Sequence, residues 1–339
     1  MIGALPEHVE RFTLDGERVT RARVPPRLPG PAEVVVRVDG CALGVEPRAE
    51  IAGEVIAAGD AAAEWLGRRV VVPRALPCGD CELCRRGRAA VCAARAPRDG
   101  LATHETVPAR FLCSVEPPLW PDGEELWRMA ALADAAAAPY AALVRAGLAP
   151  GDPAVVIGGG ARGAFTIAIA RAKGAHPVIV DGDARLRERA LGLGAAFALD
   201  AALAPDEARA DFERQARERG LRVEGTKILE TTGTAAGRYR AIAMLPDGAT
   251  AVLLDGSRGE PAPAPAIDWE NFAASERTVL GAAAAHPDLY PELCALLVRG
   301  ELALAPLVRA VSVDEAGAAL AARRAGTLVE LPIIRPNMR

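Results

Sequence analysis

Four cysteines follow one another at short intervals in the first third of the chain. The pattern C-x2-C-x2-C-x7-C is formed by Cys78, Cys81, Cys84 and Cys92. Thiolates at such spacings are typical of metal sites, and four of them can close a tetrahedral zinc site. The alternative is an iron–sulfur cluster, but the cysteine motifs that usually bind such clusters have a different spacing before the last cysteine. Because four thiolates leave zinc no open position, the sequence predicts one structural zinc that stabilises a loop and performs no chemistry.

A glycine-rich stretch in the middle of the chain has the spacing of a dinucleotide site. The apolar run Val155-Val156-Ile157 leads into Gly158-Gly159-Gly160-Ala161-Arg162-Gly163, and a helical pattern follows. We expect Gly158 to allow a tight turn, Gly160 to let the backbone approach a pyrophosphate, and Gly163 to permit close packing of helix against strand. Unpaired N–H groups at the helix N-terminus would hold the phosphates.

An acid ends the next apolar run, at Asp181, where a dinucleotide site places a ribose acceptor. A carboxylate there would accept hydrogen bonds from the adenosine ribose and repel a 2′-phosphate, which favours NAD(H) over NADP(H). Arg162 is a candidate for contact with the pyrophosphate, whereas Arg185 lies close enough to favour a 2′-phosphate instead. Thr232 and Asp255 each follow a predicted strand and are further candidates for cofactor binding.

The elements that must position these residues differ along the chain. Residues 1–118 are β-rich, and residues 124–147 have a helical pattern in which Pro139 predicts a break. From 152 to 255 strands and helices alternate, which predicts an α/β fold with a parallel sheet between layers of helices. The strands are predicted near 154–158, 176–181, 227–231 and 249–254, and the helices near 161–173, 184–192, 205–219 and 236–245. Beyond them we expect a strand at 278–281, helices at 287–299 and 313–325, and a last strand at 327–333.

Length and composition limit the kind of protein. At 339 residues the chain is long enough for two domains, and its net charge of −4 gives no electrostatic basis for binding nucleic acid or an anionic membrane. Residues 1–12 have no apolar core of signal-peptide length, and the apolar run 129–144 is too short to span a bilayer. We therefore expect a cytoplasmic protein, in which the cysteines stay free to bind metal.

Together these motifs resemble those of the zinc-containing medium-chain alcohol dehydrogenases. The likeness includes the cysteine stretch at 78–92 and the glycine turn at 158–163, together with Leu101-Ala102-Thr103-His104, Pro150-Gly151-Asp152 and the C-terminal segments at 298–302 and 313–316. The resemblance implies a GroES-like, β-rich catalytic domain (1–136 and 267–339) with a structural zinc lobe, and a doubly wound Rossmann domain (137–266) for the dinucleotide. It also implies a homodimer or homotetramer, with strand pairing near 278–281.

The same resemblance predicts a second, catalytic zinc, but this chain departs from the family at the ligand positions. The ligand cysteine falls on Gly44, and the family's Gly-His-Glu is Arg48-Ala49-Glu50 here. The intervening segment is much shorter than in the family. A third ligand position falls on Asp134. Zinc at catalytic sites takes three protein ligands, mostly nitrogen and sulfur, so the sequence predicts that a catalytic zinc is absent.

Without that Lewis acid, an electron-poor substrate is expected. We expect an NAD(P)H-dependent reductase of activated C=C, C=N or carbonyl groups in small molecules, with Glu50, Asp134 or Glu46 as the catalytic acid. One alternative is a zinc-dependent alcohol dehydrogenase with rearranged ligands, in which Cys41 joins Glu50 and Asp134. Another is a non-catalytic protein that binds the nucleotide. Metal content and turnover separate the three.

Overall fold

The protein is described here by a computed structural model that covers residues 2–43, 49–73, 75–97, 100–115, 124–133, 135–254, 267–283 and 289–337. Five positions singled out in the sequence lie outside these ranges, namely Gly44, Glu46, Arg48, Asp134 and Asp255. The chain divides into two compact units, one formed by Met1–Ala137 with Ala285–Arg339 and one by Ala138–Ala284. Among the described residues, no helix has both the length and the apolar character needed to cross a membrane.

Strands and helices follow in an order that fits the sequence pattern. The strands are β1 (Ile2–Gly3), β2 (Val9–Asp15), β3 (Arg18–Val24), β4 (Glu33–Leu43), β5 (Ala49–Ala58), β6 (Arg69–Val72), β7 (Ala75–Leu76), β8 (Ala96–Pro97), β9 (His104–Pro108), β10 (Cys113–Ser114), β11 (Pro153–Ile157), β12 (His176–Asp181), β13 (Phe197–Asp200), β14 (Lys227–Glu230), β15 (Thr250–Leu254), β16 (Thr278–Ala282), β17 (Val308–Val311) and β18 (Leu331–Ile334). The helices are α1 (Glu82–Arg85), α2 (Ala137–Arg145), α3 (Ala161–Ala172), α4 (Ala184–Gly192), α5 (Pro205–Glu218), α6 (Ala235–Ala243), α7 (Trp269–Ala274), α8 (Tyr290–Val298) and α9 (Ala316–Arg324).

The first unit is built on an eight-stranded sheet. Its strands run in the order β10-β6-β5-β4-β18-β17, while β1 also pairs with β5 and β9 also pairs with β4. The long valine-rich strand β4 is central, because its branched side chains pack into a core on this sheet. The C-terminal strand β18 pairs antiparallel with β4, so the end of the chain completes a sheet that the N-terminal part begins.

The cysteine lobe projects from this unit as a short irregular segment. The two-stranded ladder β7–β8 closes its base, and within it lie the single-turn helix α1 and a 3-10 turn at Ala89–Val91. Gly79 has φ +83°, a left-handed conformation that favours glycine, and it turns the backbone between the first two cysteines. So little regular structure cannot bury much apolar surface, which is why the lobe needs another source of stability.

The second unit is a parallel sheet with the order β13-β12-β11-β14-β15-β16. All five neighbouring pairs are parallel, and the order reverses direction between β11 and β14. Strand β11 is buried at every position, as expected for a strand covered on both faces. The predicted α/β class, with a β-rich domain and a doubly wound parallel sheet, is confirmed.

Some sequence predictions differ from the structure. Pro139 does not break a helix, because it lies in the first turn of α2, where a missing N–H has no helical partner to lose. The second unit also extends beyond the predicted boundary at 267, since β16 pairs with β15 and belongs to the parallel sheet. Strands β13 and β17 and the hairpin β2–β3 were not predicted.

Candidate functional site

The glycine turn joins the end of β11 to the start of α3. Gly158 has φ +98°, and a Cβ there would lie 2.5 Å from Cγ2 of Thr232. A Cβ on Gly163 would lie 1.8 Å from the carbonyl oxygen of Gly158, so no side chain fits between the helix and the turn. At Gly160, in contrast, no atom of the residues that the structure describes lies within 4 Å of a Cβ placed there. The turn is therefore packed closely on one side and open at the third glycine. Arg162 is half-buried in the first turn of α3.

Asp181 ends β12 directly beside this turn. Its Oδ2 accepts a hydrogen bond from the N–H of Gly159 at 2.7 Å, and its Oδ1 accepts one from the N–H of Asp183 at 2.8 Å. Two backbone donors thus fix the orientation of the carboxylate. Each carboxylate oxygen keeps a further lone pair, which can accept a hydrogen bond from a ligand hydroxyl.

The arginines near Asp181 are engaged with other groups. Arg185 forms a two-pronged ion pair with Asp183, with its closest contact at 2.6 Å, and this guanidinium lowers the pKa of Asp183 to about 2. Arg187 donates to the carbonyl oxygen of Asp181 at 2.7 Å and pairs with Asp200 at 3.1 Å. Arg185 is therefore neutralised by Asp183, and Arg187 is engaged by Asp200 and by the backbone of Asp181.

The loop that follows β14 packs against the same turn. Thr231 donates its hydroxyl proton toward the carbonyl oxygens of Ile157 at 2.9 Å and Gly158 at 3.0 Å. Glu230 is fully buried, and its Oε1 accepts the N–H groups of Thr232 at 2.7 Å and Gly233 at 2.8 Å. This network holds Thr232 against Gly158. The sequence singles out the segment Thr231-Thr232-Gly233 after a predicted strand, but it does not identify Glu230, which directly precedes that segment.

A cavity of about 590 Å³ opens between these elements within the second unit. It brings together three residues that the sequence predicted, Gly158, Asp181 and Thr232, while Gly160, Arg162 and Gly163 lie at the adjoining start of α3. The other residues that line it are Ile157, Val180, Gly182, Ala201, Pro205, Thr234, Ala235, Ala236, Gly237, Tyr239 and Arg240. The cavity lies at the carboxyl ends of the strands, where the strand order reverses and where such sheets bind ligands.

The four lobe cysteines converge on one point. Their sulfur atoms all lie within 4.8 Å of one another, with Sγ–Sγ distances of 3.5 Å for Cys81–Cys84 and Cys78–Cys92 and 3.9 Å for Cys78–Cys84 and Cys81–Cys92. Tetrahedral zinc with sulfur ligands at 2.3 Å requires sulfur atoms about 3.8 Å apart. The donor set and its spacing therefore fit zinc.

The thiols of the cluster differ in their pKa values. Backbone N–H groups of Asp80 and Cys81 lower the pKa of Cys78 to about 6, whereas desolvation raises the pKa of Cys84 to about 12. A bound cation compensates the repulsion that opposes ionisation of all four thiols together. Within the ranges that the structure covers, this is the cluster of three or more potential ligands that is close enough to hold a metal.

The positions predicted for catalysis lie in the first unit. Glu50 is buried on β5, where it pairs with Ala42, whereas Cys41 pairs with the neighbouring Ile51. Because side chains alternate along a strand, Cys41 and Glu50 point to opposite faces of the sheet. Cys41 donates to the carbonyl oxygen of Gly100 at 3.2 Å and packs in the core. The suggestion that Cys41 and Glu50 share a metal is therefore wrong, and Asp134 and Glu46 lie outside the described ranges.

Comparison with known proteins identifies relatives of both units. The family model for the alcohol dehydrogenase GroES-like domain matches residues 34–117, and the model for zinc-binding dehydrogenases matches residues 162–299. A probable alcohol dehydrogenase of Mycobacterium tuberculosis is 33% identical over 222 residues, which are 56% of this chain and 61% of that protein. L-galactonate-5-dehydrogenase of Escherichia coli is 27% identical over 261 residues, which are 75% of this chain and 71% of that protein.

Among solved structures, an alcohol dehydrogenase from Escherichia coli, complexed with NADH, superposes with a TM-score of 0.82. The match covers 98% of this chain and 100% of that one at 16% sequence identity, so it establishes the likeness of the fold.

Proposed function

Because the chain belongs to the zinc-type, alcohol dehydrogenase-like family of medium-chain dehydrogenases, we propose that it is an NAD(H)-dependent oxidoreductase that works without a catalytic zinc. Its substrate is a small molecule with an electron-poor C=C, C=N or carbonyl group. The observation that carries the cofactor assignment is the carboxylate of Asp181, oriented by two backbone N–H groups at the mouth of the glycine turn.

The residues around the cavity fit a dinucleotide. The open space at Gly160 accommodates a pyrophosphate beside the backbone, at the N-terminus of α3, where unpaired N–H groups favour an anion. Asp181 accepts the hydroxyl groups of the adenosine ribose, and Thr232 lines the adjoining surface. Arg162 and Asp255 remain candidates for further contacts. When bound, the nicotinamide supplies the hydride.

A preference for NAD(H) is supported by the charges around the cavity. A 2′-phosphate would meet the carboxylate of Asp181, and an unfavourable like-charge contact in a partly buried site weakens binding. Arg185, the cation whose position raised the possibility of NADP(H), is held by Asp183. Arg187 is held by the carbonyl oxygen of Asp181 and by Asp200.

The zinc at the cysteine lobe is proposed to be structural. Four thiolates complete its coordination, so it offers no position to a substrate and acts by holding the lobe together. A cytoplasmic location belongs to this proposal, because a reducing compartment keeps thiols available for metal.

The residues opposite the cofactor must stabilise charge on the substrate without a second zinc. Two of the three positions that the resemblance assigns to the catalytic zinc ligands are Gly44 and Ala49, neither of which has a ligating side chain, and the third is Asp134. An electron-poor substrate develops less charge on a single oxygen during hydride transfer, so protein donors can replace the metal. Glu50 is the buried carboxyl group that we propose as proton donor, with Glu46 and Asp134 as the other candidates.

The test is a panel of substrates under matched conditions. Cyclohexenone, cyclohexanone and a cyclic iminium salt are each mixed with NADH and the protein, with and without a chelator, and NADH oxidation is followed. We expect turnover of the enone or the iminium that survives the chelator. Ketone turnover that vanishes with the chelator would instead support a zinc alcohol dehydrogenase, and binding of NADH with no turnover of any class would support a non-catalytic nucleotide-binding protein.

A homodimer or homotetramer is proposed as the working assembly. Strand β16 is the last strand of the parallel sheet, and Val279 on it is 36% exposed. An exposed edge strand can pair with a second copy of itself. Size-exclusion chromatography with light scattering distinguishes these assemblies from a monomer.

A further inference from the structure

The outer wall of the cavity is a short loop between β13 and α5. Ala201, in this loop, and Pro205, at the start of α5, line the cavity. The loop forms a local turn, in which the N–H of Ala202 donates to Oδ1 of Asp200 at 2.8 Å and the N–H of Leu203 donates to the carbonyl oxygen of Asp200 at 3.2 Å. These bonds shape the loop but do not attach it to the opposite wall of the cavity, which α6 forms.

One side chain of α6 makes that attachment. Nη2 of Arg240 donates to the carbonyl oxygen of Ala201 at 2.7 Å, and Nη1 donates to the carbonyl oxygen of Leu203 at 2.9 Å. The guanidinium is half-buried and lines the cavity itself. A planar cation that donates to two carbonyls of one loop fixes both the distance and the orientation of that loop.

The loop also has an apolar attachment, because Ala201 and Leu203 are half-buried and pack against the core of the second unit. Its other two residues, Ala202 and Ala204, are exposed and have only a methyl side chain, which adds little packing. On the side of β12 it is tied by the N–H of Ala201, which donates to the carbonyl oxygen of Asp181 at 3.2 Å, and by the ion pair of Arg187 with Asp200. Arg240 supplies the corresponding tie on the side of α6.

We propose that Arg240 is a positioning residue that holds the outer wall of the cavity in the conformation that receives the adenosine half of the dinucleotide. This inference rests on the proposed cofactor site. Without the guanidinium, the carbonyl groups of Ala201 and Leu203 lose their donors and the loop samples other conformations. The apparent affinity then falls by the fraction of molecules in which the wall is in place.

The test compares Arg240→Met with the matched control Arg238→Met, an exposed arginine on the same helix that does not line the cavity. NADH and ADP-ribose are titrated by calorimetry. We expect Arg240→Met to weaken both ligands by the same factor, about tenfold, because the adenosine half is common to both. Arg238→Met should bind both ligands as the unaltered protein does.

A lysine at the same position separates positioning from general stability. Arg240→Lys keeps the charge but replaces the two donating nitrogens of the guanidinium with one, so about threefold weaker ADP-ribose binding is expected, between the unaltered protein and Arg240→Met. If Arg240→Met fails to fold, Arg240→Lys decides: a loss of this size supports the proposal, and unchanged affinity overturns it. Unchanged ADP-ribose affinity in a folded Arg240→Met also overturns it. Failure of the unaltered protein to bind ADP-ribose or NADH would overturn the cofactor assignment itself.

Discussion

Asp181 shows how a single carboxylate can be oriented by the backbone and still be available to a ligand. Its two oxygens accept the N–H groups of Gly159 and Asp183, and Asp181 itself lines the cavity. Each oxygen keeps a further lone pair, with which the carboxylate can accept a hydroxyl group of the proposed ribose. A residue used in this way affects both the turn and the ligand, so a test must separate charge from shape.

Asp181→Asn removes the charge and keeps the size of the side chain, although its amide oxygen can accept only one of the two backbone N–H groups. We expect NADH affinity to fall about tenfold, since a hydrogen bond to a charged group is worth more than one to a neutral group. The preference for NADH over NADPH should narrow as well. The NADH and NADPH titrations are repeated on the control variant Glu188→Gln, which removes an exposed carboxylate from the neighbouring helix α4. Unchanged NADH affinity in Asp181→Asn would remove Asp181 from the site.

His104 gives a prediction about pH. Desolvation, and secondarily repulsion from Arg37, lower the pKa of this imidazole below its usual value of 6.5. As the pH falls below 6.5, the unfolded chain therefore takes up a proton that the folded chain does not, and stability declines. His104→Gln should lose less thermal stability between pH 7 and pH 5 than the unaltered protein does. An equal loss in both proteins would show that His104 does not contribute.

At the scale of elements, the glycine turn and α3 have two separate spatial requirements. The first is contact, since Gly163 lies against the carbonyl oxygen of Gly158. The second is empty space, since no described residue comes within 4 Å of a Cβ placed on Gly160, whose φ of −61° any residue can adopt. The same substitution at the two positions should therefore have different consequences.

Gly163→Ala should reduce the free energy of unfolding by about 1–3 kcal/mol, because the methyl group must displace backbone. Gly160→Ala should leave the unfolding free energy within about 0.5 kcal/mol of the unaltered value and abolish detectable NADH binding, because the methyl group fills the space that the pyrophosphate needs. Urea unfolding and calorimetric titration measure the two effects. NADH binding by Gly160→Ala at unaltered affinity would contradict the assigned position of the pyrophosphate.

At the scale of elements, we also expect the folding of the cysteine lobe to depend on the zinc that it is proposed to bind. Cys84→Ala, or removal of zinc by a chelator, should expose the lobe to trypsin after Arg85, Arg86 and Arg88, because zinc binding supplies much of the free energy that folds such a segment. Cys113→Ala, outside the lobe, is the control and should keep its zinc and its protease resistance. A lobe that resists trypsin equally without metal would contradict a structural role for the site.

The sequence predicted those strands and helices whose residue pattern is complete within a short stretch of the chain. The strands and helices at 153–254 alternate within short stretches, so β11, β12, α3 and α4 fall within a residue or two of the predicted bounds. β13 is four residues long, and β17 is also short, so neither shows a clear period. The hairpin β2–β3 has exposed charged positions that mask its alternation.

The candidate site likewise consists of residues that a short motif specifies and of contacts that depend on the tertiary structure. The cysteines and the glycine turn are contiguous motifs, so their residue types and spacing specify them directly. That Cys41 and Glu50 point to opposite faces depends on the register of β4 against β5, which no short stretch of sequence encodes. The contact of Arg240 with Ala201 and Leu203 joins segments far apart in the chain and follows only from the packing of α6 beside α5, the helix that begins where this loop ends.

At the scale of the whole molecule, the two units carry different parts of the proposed function. The second unit carries the features of a dinucleotide site, namely a close turn, an open pyrophosphate position and an oriented acid. The first carries a closed cysteine cluster that fits zinc, while two of the positions that the resemblance assigns to a second metal are Gly44 and Ala49, which have no ligating side chain. Under the proposed function, such a molecule keeps the hydride carrier of the family and activates its substrate with protein groups.

Turnover measured against zinc content tests this claim most directly. Preparations with graded zinc content are analysed by native mass spectrometry, and each is assayed for NADH oxidation with the enone, iminium and ketone substrates. We expect one zinc per chain in fully active protein, with a rate that does not increase when more zinc is supplied. Activity confined to molecules with two zinc ions per chain would contradict it and assign the chemistry to a catalytic metal.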